Sequence, residues 1–245
     1  MKYVGIIPAR FASSRFPGKP LTVIEGKTMI HRVYEQASKS KILSEVIVAT
    51  DDERIVKEVN RFGGQVMMTS SAHKSGTDRC AELIEKEHSW DVVLNIQGDE
   101  PYIQPEQIDL LCNCFQSTAV QIATLIKQIN STEELFNVNT PKVIFNSNKE
   151  ALYFSRTPIP YCRDQEKDHW LKSHTYYKHI GIYAYRSDVL KAISRLKPSS
   201  LELAESLEQL RWLENGYKVH VEITQLESIA IDSPEDLIKL FSAKK

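Results

Sequence analysis

A three-layer α/β/α fold, with a mainly parallel mixed sheet between layers of helices, is predicted for this 245-residue sequence by three observations. Short apolar runs of strand length alternate with segments whose apolar residues recur at helical spacing, the pattern of repeated βα units. Polar loops follow directly on the carboxyl ends of those runs, where such sheets bind ligands. No run approaches the roughly 18 consecutive apolar residues of a membrane span.

The elements follow in order. Tyr3 to Ile7 is a buried strand that empties at Pro8 into a loop reaching Leu21. Ile30, Val33, Tyr34 and Ala37 line one helical face; Val46 to Ala49 is a strand; Ile55, Val56, Val59 and Phe62 line a second helix, stopped by Gly63-Gly64. A short strand at Val66 to Met68, a helix from Thr77 to His88, a strand at Val92 to Ile96, a helix from Pro105 to Phe115 and a strand at Ile122 to Ile126 continue the rhythm. After about residue 130 it changes. Strands are expected at 142–145, 180–183 and 219–223, with a Pro-, aromatic- and His-rich stretch from Tyr153 to Tyr177 between them. One helix is expected from Leu201 to Asn215, with Leu203, Leu207 and Leu210 as its core stripe and Gly216 as its C-cap. The chain reads as a single domain, residues 1–130 mainly for a first ligand, 131–224 as an insertion for a second substrate and a dimer contact, and 225–245 as a closing strand and helix.

Composition narrows the function classes. Thirty-one Lys and Arg against 32 Asp and Glu leave a formal charge of −1, so no net field draws the chain to nucleic acid or to an anionic membrane, and any anion site is local. Cys80, Cys112, Cys114 and Cys162 include no Cys-x-x-Cys and read as free thiols. The amino-terminal segment lacks the pattern of a secretory signal, and a cytoplasmic setting is expected.

The loop after the first strand carries the chemistry. Arg10, Arg15 and Lys19 fall among hydroxyls and turn formers, suited to a polyphosphate through guanidinium forks and a lysine point charge. A solvated basic loop would display the same charges. The spacing is not that of a Walker loop, and no Gly-x-Gly-x-x-Gly occurs. Asp99, in Gln97-Gly98-Asp99-Glu100-Pro101, stands where a strand's end holds a nucleotide-bound Mg²⁺; an Asx turn is the alternative. Asp232, before Ser233-Pro234-Glu235, is a second such carboxylate or a helix cap. The segment from His73 through Ser75, Gly76, Thr77 and Asp78 to Arg79 either lines a base or ribose or simply starts a helix. Thr50-Asp51-Asp52 is read as a cap.

In order along the chain stand Pro-Ala-Arg-Phe-Ala-Ser-Ser-Arg-Phe-Pro-Gly-Lys-Pro-Leu, Val-Ala-Thr-Asp-Asp, Ser-Gly-Thr-Asp-Arg, Asn-Ile-Gln-Gly-Asp-Glu-Pro, Ala-Leu-Tyr-Phe-Ser-Arg, Lys-His-Ile-Gly-Ile-Tyr, Leu-Glu-Gln-Leu-Arg and Ile-Asp-Ser-Pro-Glu-Asp. Over essentially its full length the sequence resembles the 3-deoxy-manno-octulosonate (Kdo) cytidylyltransferases, within the nucleotidyltransferases that form nucleotide sugars. The resemblance implies the nucleotide-diphospho-sugar transferase fold and transfer of CMP from CTP to Kdo for lipopolysaccharide synthesis. It implies that Ala9, Arg10, Arg15, Lys19, Ser75, Gly76, Thr77 and Arg79 bind CTP, with Arg10, Lys19 and Asp99 catalytic. Gln97, Arg156, His179, Tyr183, Glu208 and Gln209 would meet the sugar, Arg156 as a fork for its carboxylate. Asp99 and Asp232 would bind Mg²⁺, in an enzyme expected to be a homodimer. Two alternatives stand beside it: a cytidylyltransferase for a related acidic sugar such as an amino-substituted Kdo, and a non-catalytic nucleotide-binding homologue.

Overall fold

The computed structural model describes residues 1–12, 16–227, 230–231 and 233–237. It divides the chain into two compact units, residues 1–112 with 227–245, and residues 113–226.

The first unit is built of βα repeats. Strand β1 (Tyr3–Ala9) leads through the loop to a small hairpin, β2 (Val23–Ile24) and β3 (Lys27–Thr28), and then α1 (Met29–Ala37), β4 (Glu45–Thr50), α2 (Glu53–Arg61), β5 (Gln65–Met68), α3 (Gly76–Lys86) and β6 (Val92–Asn95); α4 (Pro105–Asn113) closes it. The strands lie in the order β6-β1-β4-β5, all parallel, with Ile6 opposite Ile47 and Asn95. Val4, Ile6, Ile7, Val48, Val92, Val93 and Leu94 are fully buried, as expected for parallel strands covered on both faces. Ile30, Val33 and Ala37 of α1 and Ile55 and Val59 of α2 supply the facing stripes. Asp52 caps α2 by accepting the Arg54 amide, as its position after a strand suggested.

The second unit carries β7 (Ile122–Gln128), α5 (Thr132–Phe136), β8 (Lys142–Phe145), β9 (Ala151–Ser155), α6 (Trp170–Ser173), β10 (Tyr177–Arg186), α7 (Ser187–Ile193), α8 (Ser200–Glu205), α9 (Gln209–Glu214) and β11 (Val219–Ile223). Here the sheet is mixed: β11 runs parallel to β7, whereas β7 with β10, β10 with β8, and β8 with β9 are antiparallel. Strand β10 is much longer than its apolar centre suggested and shifts register between Ile180 and Tyr183.

Two expectations are corrected. The helix expected from Leu201 to Asn215 is two helices, because Ser206 between α8 and α9 adopts a left-handed backbone with φ 52°. Leu203 is therefore 69% exposed, while Leu207 and Leu210 remain in the core, so the three leucines form no common stripe. A strand expected before Asp232 is absent among the described residues: Ala230 and Ile231 lie in irregular structure, with Ile231 fully buried beside Ile24 and Met29.

The left-handed Ser206 yields a test. Glycine adopts this conformation without a Cβ penalty, so Ser206→Gly should leave the fold unchanged and raise stability by up to about 1 kcal/mol. A thermal melt should therefore move up, and a lower midpoint would refute the account.

Candidate functional site

The loop after β1 is tied between Phe11 and Gly18. Gly18, at φ 73°, donates its amide to the Phe11 carbonyl at 3.0 Å, and the Phe11 ring lies under the Arg54 guanidinium, 3.3 Å from its centroid. A Cβ on Gly18 would also press on that ring, at 3.2 Å. The turn Lys19–Leu21 then directs Lys19 inward, and its Nζ donates to Asp99 Oδ2 at 2.7 Å. Both side chains are largely enclosed, at 16% and 26% exposure, which removes much of the screening that makes surface pairs weak.

Asp99 is placed by close approach of two strand ends. A Cβ on Gly98 would stand 2.8 Å from the Pro8 carbonyl oxygen, so only glycine lets the loop after β6 lie against the end of β1. The Asp99 carbonyl in turn accepts the Ile231 amide at 2.9 Å, tying the carboxyl-terminal segment to the same point.

The third wall is the start of α3. Ser75 accepts the Asp78 amide while the Asp78 carboxylate accepts the Ser75 amide, a reciprocal capping box. Gly76 packs close to Pro8 and Asn95. The loop leading into this helix is secured by Glu82, which accepts from the Ser70 amide at 2.8 Å and from His73 at 2.5 Å. Burial alone would raise the Glu82 carboxyl, but Lys86, the Ser70 amide and His73 outweigh it and hold its pKa at about 2.

These walls enclose a cavity of about 230 Å³. Ala9, Arg10, Lys19, Ser75, Gly76, Arg79, Gln97 and Asp99 all line it, as do His73 and Lys74. Four cationic side chains and one carboxylate thus meet in a small space, which suits a multiply charged anion. Of the expected nucleotide residues, Thr77 does not line the cavity; it is 2% exposed, on the inward face of α3. Arg79 lines it but is also anchored, donating to Thr69 Oγ1 and, at 3.0 Å, to Asp51. Gln97, expected with the sugar set, belongs to this cavity. Arg15 and Asp232 lie outside the described residues.

The other expected sugar residues belong to the second unit. His179 Nε2 lies 3.0 Å from Thr124 Oγ1, and its ring packs against Phe154 and Tyr183. Burial lowers its pKa to about 3, so the ring is neutral at physiological pH. Tyr183 is 7% exposed, and burial together with the Glu208 charge raises its hydroxyl. Tyr183 OH, Gln209 Nε2 and Trp212 Nε1 are buried with no hydrogen-bond partner among the described residues. Buried polar groups are rarely left so. Trp212, edge-on to Tyr183 at 5.0 Å, is absent from the expected set; as a tryptophan within a leucine-rich helix it reads as core. Glu208 and Gln209 do not sit mid-helix on an exposed face, because α9 starts at Gln209, which is 5% exposed.

Arg156 differs from the open fork expected. Its Nε donates to the Glu205 carbonyl at 2.6 Å, its two terminal nitrogens to the carbonyls of Val138 and Ser206, at 3.0 and 3.2 Å, and its amide to the Glu205 carboxylate. Three of the guanidinium's donors are thus committed to main chain where α8 ends, and a carboxylate would meet only the remaining two.

A family model described as cytidylyltransferase matches residues 4–226. A 3-deoxy-manno-octulosonate cytidylyltransferase from Parabacteroides distasonis is 59% identical over 244 residues, spanning 98% of this chain and 96% of its own length. Its counterpart from Phocaeicola vulgatus is 60% identical with the same coverage. Among solved structures, a CMP:2-keto-3-deoxy-manno-octonic acid synthetase complexed with CTP superposes with a TM-score of 0.92 at 43% identity, covering 100% of this chain and 98% of the other. The chain belongs to the cytidylyltransferase family, and within it to the 3-deoxy-manno-octulosonate cytidylyltransferases.

Two outcomes test this geometry. Gly98→Ala should force β1 and β6 apart and lower unfolding stability by about 1–3 kcal/mol in urea titration; wild-type stability would remove the close-approach argument. For His179, the unfolded chain takes a proton below about pH 6.5 that the folded site refuses, so stability should fall as pH drops from 6.5 toward 3, by at most about 1.4 kcal/mol per unit. Denaturant midpoints measured at pH 7.5 and 5.5 should converge in His179→Gln relative to wild type.

Proposed function

We propose that this chain transfers the CMP group of CTP to the anomeric hydroxyl of Kdo, forming CMP-Kdo and releasing pyrophosphate. The observation that carries the reading is the cation-lined cavity around Lys19 and Asp99, in a chain 43% identical to a synthetase whose structure was solved with CTP. Arg10 and Lys19 bind the triphosphate, and Arg15 adds to them. As the hydroxyl oxygen bonds to the α-phosphorus, the bond from that phosphorus to the bridging oxygen breaks, the hydroxyl proton passes to solvent water, and negative charge moves onto the departing pyrophosphate. Lys19 neutralises that charge, an effect that grows toward the transition state and so accelerates the step. Positioning supplies the rest, and no covalent enzyme intermediate is involved.

A Mg²⁺ ion would be held by Asp99 and Asp232. The fit is supported by the Asp99 carboxylate, a hard oxygen donor that faces the cavity and already accepts a cation, the Lys19 ammonium. Such an ion, when bound with the nucleotide, supplies charge neutralisation at the phosphate oxygens. In the second unit, Tyr183, Gln209 and His179 offer donors and acceptors to a polyhydroxy acid, and Arg156 orders the α8 end beside Glu205. A homodimer and a cytoplasmic setting go with that reading; among the described residues no helix is long and apolar enough to cross a membrane.

Pyrophosphate release from CTP with Kdo should exceed that from UTP, and a panel of acidic sugars should favour Kdo. Lys19→Met should lower turnover roughly 10²- to 10³-fold at saturating CTP, as loss of a transition-state donor does elsewhere. Asp99→Asn should lower it comparably with the fold intact. Near-normal turnover in both variants would sink the assignment.

A further inference from the structure

We infer that Cys114, His220 and Glu222 form a site for a divalent transition-metal ion, with Zn²⁺ as the ion that best suits the donor set. One ligand atom from each residue, a sulfur, an imidazole nitrogen and a carboxylate oxygen, lies within 4.8 Å of the others. All three side chains are half-buried, and all belong to the second unit.

The fold explains the grouping. His220 and Glu222 are two residues apart on β11, so they share one face of the strand, and the parallel register opposite Ala123 and Leu125 of β7 fixes their spacing. Cys114 comes from the tight turn Cys114–Gln116 that follows α4. His220 Nε2 and Glu222 Oε2 are 3.8 Å apart, too far for a hydrogen bond and wider than the roughly 3.4 Å that separates nitrogen and oxygen ligands about a tetrahedral zinc, so a small side-chain closure completes the site. A thiolate, an imidazole and a carboxylate together form a borderline-soft set, which selects Zn²⁺ over Mg²⁺ or Ca²⁺. Three protein ligands leave the fourth tetrahedral position to water.

The surroundings set the terms of binding. Lys149, held at φ 59° in the turn before β9, donates its Nζ to both oxygens of Glu222, at 2.7 and 2.8 Å. The neighbouring Glu150 is engaged by Lys218 at 2.7 Å and by Asn146 at 3.0 Å. A metal ion must therefore take one Glu222 oxygen from Lys149, so that lysine opposes binding. Metal binding releases the thiol proton to solvent as the sulfur–metal bond forms.

The test uses the full chain stripped with chelator and titrated with Co²⁺, then with Zn²⁺. One equivalent of Co²⁺ should produce a thiolate-to-metal charge-transfer band that Zn²⁺ abolishes. Cys114→Ser, nearly isosteric, should lose the band and weaken Zn²⁺ binding at least tenfold while melting normally in chelator. His220→Gln should weaken it similarly, Cys162→Ser should bind as wild type, and Lys149→Met should bind more tightly. Absence of the band in the wild type, or its survival in Cys114→Ser, would overturn the site. None of these readouts involves nucleotide transfer.

Discussion

The cavity depends on how closely the ends of two adjacent parallel strands approach. Gly98 lies against the Pro8 carbonyl with no room for a side chain, and that contact determines where Asp99 emerges from β6 and where the loop departs from β1. Once these two exits are fixed, the Lys19 ammonium meets the Asp99 carboxylate and the start of α3 closes the remaining side. The Phe11–Gly18 hydrogen bond and the Arg54 stack then hold the loop's ends, so two backbone constraints position several charges. This is how α/β sheets generally make ligand sites: strands are rigid, their carboxyl ends are not covered by helices, and short loops inherit the strands' precision.

The second unit uses a different principle. Its polar side chains are buried among aromatic rings, with His179, Tyr183, Tyr185 and Trp212 in edge and stacked contacts. Such rings have well-determined positions, and the polar atoms they carry are correspondingly fixed. Arg156 contributes by stitching the end of α8 to the Val138 carbonyl, so its positive charge supports the local backbone as well as the field around it. The neutral state of His179 follows from the same enclosure.

Most of the first unit was legible because its strands are buried on both faces and read as continuous apolar runs, and its helices keep clean stripes between caps. The capping role of Asp52 and the strand at 219–223 were equally readable. Three features were not. The break at Ser206 is invisible because leucine spacing continues through it, and only a backbone dihedral ends α8. Strand β9 ends inside the Pro-, aromatic- and His-rich stretch that begins at Tyr153, although the prolines follow it, and no strand was expected there. Trp212 escaped notice since an indole nitrogen without a partner is a fact of packing. At the site, the charge pattern of the loop and the motif order located Arg10, Lys19, Ser75 and Asp99 as neighbours, whereas Gln97's place in the same cavity and Arg156's main-chain bonds required coordinates.

The Lys19–Asp99 pair is also a cross-brace: a half-enclosed ion pair joins the loop after β1 to the loop after β6, so a change at either residue would be felt on both sides of the cavity.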